Sequence, residues 1–191
     1  MTSASKQPGF TLLELMITLA LVSILAGIAV PSYRTVMKER QLRHAAEAIR
    51  TQVLLGKSEA VRLNQDVNFF ISATNGWCAG MTTRAITDGS DCDCASLDSG
   101  ASAGQCTFTA SNLTRVTSKN DYDWVNVTST FDDDVLVLKA RNKGVSNLSG
   151  GANNGRFDIK LAGESSGLCV VVSVLGRVRT CNLSGVGSCS C

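Results

Sequence analysis

The sequence lacks the residues and motifs that most enzymes need. It contains one histidine, His44, and no G-x-x-x-x-G-K-[ST] phosphate-binding loop. A Ser-His-Asp or Cys-His mechanism needs a histidine held by loops over a pocket, whereas His44 follows Arg43 in a stretch with helical periodicity. Without the phosphate-binding loop, the chain is not expected to hydrolyse ATP. We therefore predict a protein that is not an enzyme and needs no cofactor.

Motifs for a metal site are also lacking. The pairs Cys92-Asp93-Cys94 and Cys189-Ser190-Cys191 have C-x-C spacing, whereas structural zinc sites usually space paired ligands C-x₂₋₄-C. The acidic run Asp132–Asp134 lacks the spacing of an EF-hand calcium loop, so a solvated turn is the expected structure. The sequence predicts no metal site.

Cysteine itself is abundant, and its even number predicts disulfides in an oxidising compartment. Eight cysteines allow too many pairings for the sequence to assign them. One pairing has geometric support, because a hairpin turning at Leu175 would place Cys169 and Cys181 nearly opposite each other. The cysteines predicted to form disulfides are Cys78, Cys92, Cys94, Cys106, Cys169, Cys181, Cys189 and Cys191.

A long apolar stretch precedes all of these cysteines. Residues 10–30 are apolar except for Glu14 and three hydroxyl side chains. As a helix that rises about 1.5 Å per residue, this stretch could cross a bilayer core of about 30 Å. A carboxylate in such a helix is costly, so Glu14 is expected to have a functional partner. Pro31 predicts a kink or local melting at the end of the stretch.

The segment after Pro31 is amphipathic. Small and apolar residues recur at steps of three and four, so we predict that the helix continues to about Asn64. The small side chains on this stripe would let a flat surface, such as a sheet, approach closely. The stripe consists of Leu42, Ala45, Ala46, Ile49, Val53, Gly56, Ala60 and Leu63.

The chain changes character after Asn64, where short β-type runs alternate with Gly, Ser, Asn and Asp clusters. This predicts an α+β fold in which the long helix packs on an antiparallel sheet or small sandwich that is disulfide-bonded. Loops are expected at 82–104 and 145–154. The predicted strands are 67–72, 77–81, 113–117, 124–128, 135–140, 156–161, 168–174 and 178–181.

The N-terminal stretch resembles a type IV prepilin leader, with Gly9-Phe10 at the polar-to-apolar junction and Glu14 soon after it. A secretory signal peptide is disfavoured because only Lys6 precedes the apolar core and a carboxylate lies within it. The resemblance implies that prepilin peptidase cleaves between Gly9 and Phe10 and methylates the new amino terminus. It also implies that Glu14 pairs with the amino terminus of a neighbouring subunit. An uncleaved single-span anchor is the alternative.

Three further segments resemble the GspH/FimT family of minor pilins and pseudopilins. Residues 55–67 are similar to the helix end of that family, 77–80 to the W-x-x-G that follows, and 171–179 to its closing β-hairpin. Residues 82–134 depart from the family pattern because they are unusually acidic and rich in cysteine. The implied organisation is a cleaved leader at 1–9, a membrane and filament-core helix at 10–30, an amphipathic helix at 31–64 and a β domain at 65–191.

The same resemblance implies a FimT/FimU-like minor pilin that is incorporated into a type IV pilus, near the tip or at the start of assembly. It would cross the inner membrane once, with its C-terminal domain in the periplasm, before joining an extracellular filament of other pilins. The alternative is the corresponding pseudopilin of a type II secretion system, with a purely structural role.

Basic charge is concentrated at the C-terminal end. Residues 135–191 carry seven basic and two acidic side chains, whereas residues 66–134 carry three basic and ten acidic ones. Such asymmetry predicts a surface with a basic C-terminal third.

The motif Gly176-Arg177-Val178-Arg179 lies in this basic segment. On a strand, Arg177 and Arg179 would share one face and could contact phosphates, but no aromatic platform for single-stranded bases accompanies them. In FimT-like members of the family a G-R-x-R motif in this region is associated with DNA binding and uptake, which implies a site for double-stranded DNA. The alternative is that both arginines form salt bridges with the acidic middle segment, for instance with Asp132–Asp134. Basic neighbours that could join the site are Lys139, Arg141, Lys143 and Arg156.

Overall fold

The computed structural model describes residues 9–73, 76–83, 116–141, 144–147, 150–151, 154–185 and 187–191, and for 29–32 it describes the backbone alone. The predicted leader before Gly9, most of the 82–104 loop and most of the 113–117 strand lie outside these residues, as do Cys92, Cys94, Cys106 and Lys143. The chain divides into two compact units, Met1–Glu39 and Arg40–Cys191, which are described separately.

The first unit contains the start of α1, a helix of 52 residues that begins at Leu12 and ends at Leu63. Thr11 caps it, since its Oγ1 accepts a hydrogen bond of 3.3 Å from the backbone N–H of Glu14. By length and composition α1 could cross a membrane, and none of its most apolar segment, of mean hydropathy 2.4, is buried. Residue 31 lies inside the helix, so of the two expectations at Pro31 local melting is wrong and the kink stays a prediction.

In the second unit, the predicted stripe of α1 faces the core. Ala45, Ile49, Val53 and Ala60 are fully buried. Leu42 and Leu63 are partly buried at the two ends of the stripe and pack against the same core. The period of three and four therefore identified the buried face of this part of the helix.

The rest of the second unit forms two antiparallel sheets in the part of the chain that the structure describes. Sheet I has the strand order β3-β2-β1-β5-β6, and sheet II has the order β10-β9-β8-β7-β4. The predicted α+β fold is confirmed. The strands are β1 (Val67–Ser72), β2 (Cys78–Thr82), β3 (Thr117–Ser118), β4 (Val125–Ser129), β5 (Val135–Leu138), β6 (Val145–Ser146), β7 (Gly155–Leu161), β8 (Gly167–Val172), β9 (Val178–Leu183) and β10 (Cys189–Ser190).

The helix and both sheets share one hydrophobic core. Phe69 of β1 lies opposite Met81 of β2 and Leu136 of β5, so these three side chains project from the same face of sheet I. Phe69 also contacts Phe157 of β7 edge to face, with ring centroids 5.1 Å apart. This aromatic pair connects sheet I to sheet II.

Gly56 lies where α1 packs closely on sheet I. A Cβ atom at this position would lie 2.5 Å from Cδ1 of Leu138 and 2.8 Å from Sδ of Met81. Contacts this short do not occur in proteins, so a larger residue here would have to displace the ends of these two side chains. The close approach predicted for the small-residue stripe is therefore present.

Two strand predictions need correction. The segment 145–154 was expected to be a loop, but Val145–Ser146 forms β6 and pairs with β5. The C-terminal strand β10 was not predicted at all. Both contain two residues, too few to show an alternating pattern, so only pairing with a longer neighbour reveals them.

Replacing Gly56 with valine should lower the free energy of unfolding by about 1–3 kcal/mol, because the new side chain overpacks the core between Met81 and Leu138. Urea unfolding of the full chain in detergent measures this change. The matched control is Thr51→Val, which places the same side chain at an exposed position of α1 and should change stability little. Equal stability of the two variants would contradict the close approach.

Candidate functional site

The most distinctive polar surface lies on the hairpin that joins β8 to β9. Its loop contains Val174, Leu175 and Gly176, and Leu175 is exposed at the tip. The N–H of Gly176 donates to the carbonyl of Ser173 over 2.6 Å, and the N–H of Ser173 donates to the carbonyl of Arg177 over 3.0 Å. Gly176 has φ +71°, which a three-residue hairpin loop of this type requires at its last position.

Arg177 and Arg179 follow this turn and are both exposed, while Val178 between them packs against the core. Arg179 lies opposite Val171 of β8, and the alternation of side chains along the strand puts Arg177 and Arg179 on one face. Neither arginine forms a salt bridge with any carboxylate that the structure describes. Among the described residues they therefore do not pair with Asp132–Asp134, whereas the carboxylates between residues 84 and 115 lie outside the described residues, and pairing with that part of the acidic segment stays an alternative. We call Arg177, Arg179 and the turn before them the arginine hairpin.

Two of the predicted basic neighbours are engaged elsewhere. Lys139 pairs with Asp66 over 3.0 Å. Arg156 donates from Nε to Asp158 over 2.7 Å and from its terminal nitrogen to the carbonyl of Gly187 over 2.5 Å. Both side chains thus pair with carboxylates of the same domain, whereas the two arginines of the arginine hairpin form no salt bridge among the described residues.

Asp66 does more than neutralise Lys139. Its Oδ1 accepts a hydrogen bond of 3.0 Å from the backbone N–H of Ala140, so the carboxylate caps the turn after β5. Burial works against the charged form, but this hydrogen bond, the Lys139 ammonium and the Arg141 guanidinium together hold the pKa of Asp66 below its ordinary value. Arg141 itself is exposed.

The disulfides hold the C-terminal tail on sheet II. Cys169 and Cys181 lie opposite each other, as predicted. The predicted bond between them is wrong, however, because Cys169 bonds Cys189 and Cys181 bonds Cys191. The hydrogen bond that closes the hairpin makes their pair a hydrogen-bonded one, in which opposed side chains are farther apart. Cys78 is also disulfide-bonded, and no cysteine in the described part of the chain is free.

The N-terminal candidate residues lie together at the start of α1. Gly9 and Phe10 are exposed just before the helix. Glu14 lies in the first turn, where a negative charge interacts favourably with the helix dipole, and it too is exposed. The large apolar side chains of this part of the helix, from Leu12 to Ile28, are all more than half exposed. Such a continuous apolar surface is typical of a membrane or protein-binding segment.

His44 lies on the exposed side of α1 and borders a cavity of about 580 Å³ together with Glu47, Thr51 and Gln52. Gln52 donates to the hydroxyl of Thr117 over 2.7 Å. No group of three His, Cys, Asp or Glu side chains among the described residues could hold a metal ion.

A long apolar helix whose C-terminal half packs on antiparallel sheets defines the pilin-like class of α+β proteins. Residues 4–30 match the model of the prokaryotic N-terminal methylation motif. Residues 45–176 match the model of the type II transport protein GspH. Since the second match covers more than half of the chain, the protein belongs to the GspH family.

Individual relatives match over shorter stretches. A fimbrial protein of Pseudomonas aeruginosa is 31% identical over 84 residues, which are 44% of this chain and 54% of the relative. The type IV major fimbrial protein FimA of Dichelobacter nodosus is 43% identical over 60 residues, 28% of this chain and 38% of the relative. The chain thus spans about half the length, or less, of these relatives. The crystal structure of the type IV minor pilin FimU of Pseudomonas aeruginosa aligns with 73% of this chain and 91% of its own, with a TM-score of 0.47 and 16% identity.

Asp66→Asn should destabilise the protein by about 0.5–1 kcal/mol near neutral pH, because the amide loses the ion pair with Lys139. A carboxyl whose folded pKa is lowered stabilises the fold above its unfolded pKa and loses this contribution as the pH falls through the folded pKa. The difference from wild type should therefore shrink as the pH falls below 3.8. Urea unfolding of wild type and variant, once near neutral pH and once below pH 3.8, measures this difference in stability.

The matched control is Asp123→Asn, an exposed position without a salt bridge in the described residues, which should change stability little at either pH. A destabilisation by Asp66→Asn that persists unchanged at low pH would contradict the role of the charge.

Proposed function

We propose that the protein is a minor subunit of a type IV pilus. The observation that carries this proposal is the match of residues 4–30 to the methylation motif, together with the exposure of every large apolar side chain from Leu12 to Ile28. Such a surface needs a non-aqueous environment, which the inner membrane supplies before assembly and neighbouring pilins supply within a filament. The disulfides of the β domain support a location outside the cytoplasm, because disulfides persist in oxidising compartments whereas the cytoplasm is reducing.

The exposed residues just before α1 are accessible to the proposed cleavage and methylation. Prepilin peptidase would cleave between Gly9 and Phe10, both exposed, and methylate the amino group of Phe10. In a neighbouring subunit, Glu14 offers that amino group a carboxylate at the first turn of the helix. In an apolar surrounding, each charge would be costly alone, so pairing favours incorporation of the next subunit.

Glu14→Ala should leave cleavage intact but reduce incorporation into filaments, since the variant no longer offers a carboxylate to its neighbour. Sheared surface filaments are probed for the chain, and mass spectrometry of the membrane fraction should find a chain that begins with N-methylated Phe10. The control is Glu39→Ala, the same change beyond the apolar stretch. Wild-type incorporation of Glu14→Ala would refute the charge-pairing role, and a chain that begins at Met1 or follows a cut after Ala29 would refute the processing.

The alternative is the corresponding pseudopilin of a type II secretion system. The match to the GspH model supports a pseudopilin as much as it supports a minor pilin. Comparison of sheared surface filaments with the membrane fraction distinguishes a pilus subunit from a pseudopilin. A pilus subunit appears in sheared surface filaments, whereas a pseudopilin stays with the cell envelope and its loss abolishes secretion.

A second function, binding of double-stranded DNA during uptake, is supported by the arginine hairpin. Arg177 and Arg179 are exposed, share one face and have no described acidic partner. Two exposed guanidinium groups on one face of a hairpin can each contact a phosphate, and Arg141 is a further exposed positive charge in the domain. So small a patch gives weak, sequence-independent binding, in the micromolar range or weaker. A position near the filament tip would expose the hairpin to DNA.

Arg177→Ala/Arg179→Ala should weaken DNA binding by about tenfold or more at low salt, because both phosphate contacts are lost. Fluorescence anisotropy of a labelled duplex with the full chain in detergent measures the affinity. For wild type, the logarithm of the affinity should fall linearly with the logarithm of the salt concentration, and the double variant should lose about 0.9 of slope per contact.

The matched control is Arg40→Ala/Arg43→Ala, which removes the same charge from exposed helix positions and should reduce affinity by less than about threefold. Equal binding by the hairpin variant and wild type would show that these arginines are not the contacts. Absence of wild-type binding at low salt would show that the protein is a filament subunit without a DNA site.

A further inference from the structure

The turn of the arginine hairpin receives a hydrogen bond from the long helix. The ammonium group of Lys57, on α1, donates to the carbonyl of Gly176 over 2.6 Å, and the lysine side chain is partly buried. The two residues are 119 positions apart in the chain, so sequence periodicity could not have paired them.

We propose that Lys57 is a positioning residue of the arginine hairpin, which holds the turn in place and does not itself contact DNA. The inference rests on the proposed binding of DNA by Arg177 and Arg179, but the effect of Lys57 on the turn can be tested without DNA.

The carbonyl of Gly176 needs such a partner. Gly176 is buried, and its left-handed φ of +71° turns the chain just before the ladder of β9 begins. No backbone N–H in the described part of the chain donates to this carbonyl. A buried carbonyl without a donor is costly, and a charged donor satisfies it more strongly than a neutral one. Lys57 therefore stabilises the one residue whose conformation directs Arg177.

Lys57 follows a closely packed residue of the helix. Gly56 lies against the side chains of Met81 and Leu138, which belong to sheet I. From the same turn of α1, the ammonium group of Lys57 reaches a carbonyl in the hairpin of sheet II. Lys57 thus connects the arginine hairpin to a closely packed turn of the helix.

The ammonium group also has a consequence for charge. Lys57 has no carboxylate partner among the described residues, so it places a third positive charge near Arg177. One of the three N–H groups of the ammonium donates to the carbonyl, and the side chain is partly buried, so Lys57 is less accessible to a phosphate than the exposed Arg177 and Arg179. The salt dependence of DNA binding distinguishes a positioning role from a phosphate contact.

The test compares Lys57→Met, which keeps the length of the side chain but loses the donor, with Lys57→Arg, which keeps a charged donor. Lys119→Met is the control for net charge, because Lys119 is exposed and lies beyond β3 in sheet I. The first readout is hydrogen exchange of the full chain in detergent, followed at the amides of Gly176 and Arg177. The second is the affinity for duplex DNA over a range of salt concentrations.

Lys57→Met should speed exchange at the hairpin amides by about tenfold, because the turn opens more often, whereas Lys57→Arg and Lys119→Met should exchange like wild type. Wild-type exchange in Lys57→Met would overturn the proposal whatever the DNA result. Exchange that rises equally in Lys57→Arg would also overturn it, since the charged donor would not be the cause.

For DNA, Lys57→Met should bind about three- to tenfold more weakly than Lys119→Met, with an unchanged salt slope. A slope reduced by about 0.9 would overturn the positioning role in favour of a direct phosphate contact. Equal affinities of Lys57→Met and Lys119→Met would overturn it in favour of a general charge effect. If wild type does not bind DNA, the proposed DNA function fails, and hydrogen exchange alone decides whether Lys57 holds the hairpin.

Discussion

The close contact between the backbone of α1 at Gly56 and the side chains of Met81 and Leu138 is the constraint on which the β domain depends. Ile49 and Val53, on the same face of the helix, are fully buried in the shared core. Because interiors are close-packed, a change of one methyl group at this contact would be felt across the shared core. The Phe69–Phe157 contact then extends the same core to sheet II.

The polar features of sheet II are arranged around this core. Lys57 connects the helix to the turn of the arginine hairpin, and the two tail disulfides hold the chain end beside the same sheet. Disulfides stabilise a fold mainly by restricting the unfolded chain, and the Cys181–Cys191 bond lies beside Arg179, which remains exposed. A rigid base and exposed charges are what a weak phosphate-binding surface needs, since no binding energy is then spent on ordering it.

Sequence reasoning succeeded where the information is local. The stripe from Leu42 to Leu63 follows the period of one helix face, and the hairpin at Leu175 lies where the equal spacing of Cys169 and Cys181 and the family resemblance of 171–179 predicted it. It failed where residues distant in sequence meet. Nothing local indicates that Cys169 bonds Cys189, that Lys139 pairs with Asp66, or that Lys57 meets Gly176. The excess of basic over acidic residues in the last third was the signal in the sequence that some of its basic side chains would lack a carboxylate partner.

The most direct test of this account is a nuclear Overhauser measurement on the isotopically labelled full chain in detergent micelles. The close approach of α1 to sheet I predicts strong cross-peaks from the Hα protons of Gly56 to the methyl groups of Met81 and Leu138. Their absence, in a sample that shows the contacts expected between the rings of Phe69 and Phe157, would contradict the packing on which the rest of the structure depends.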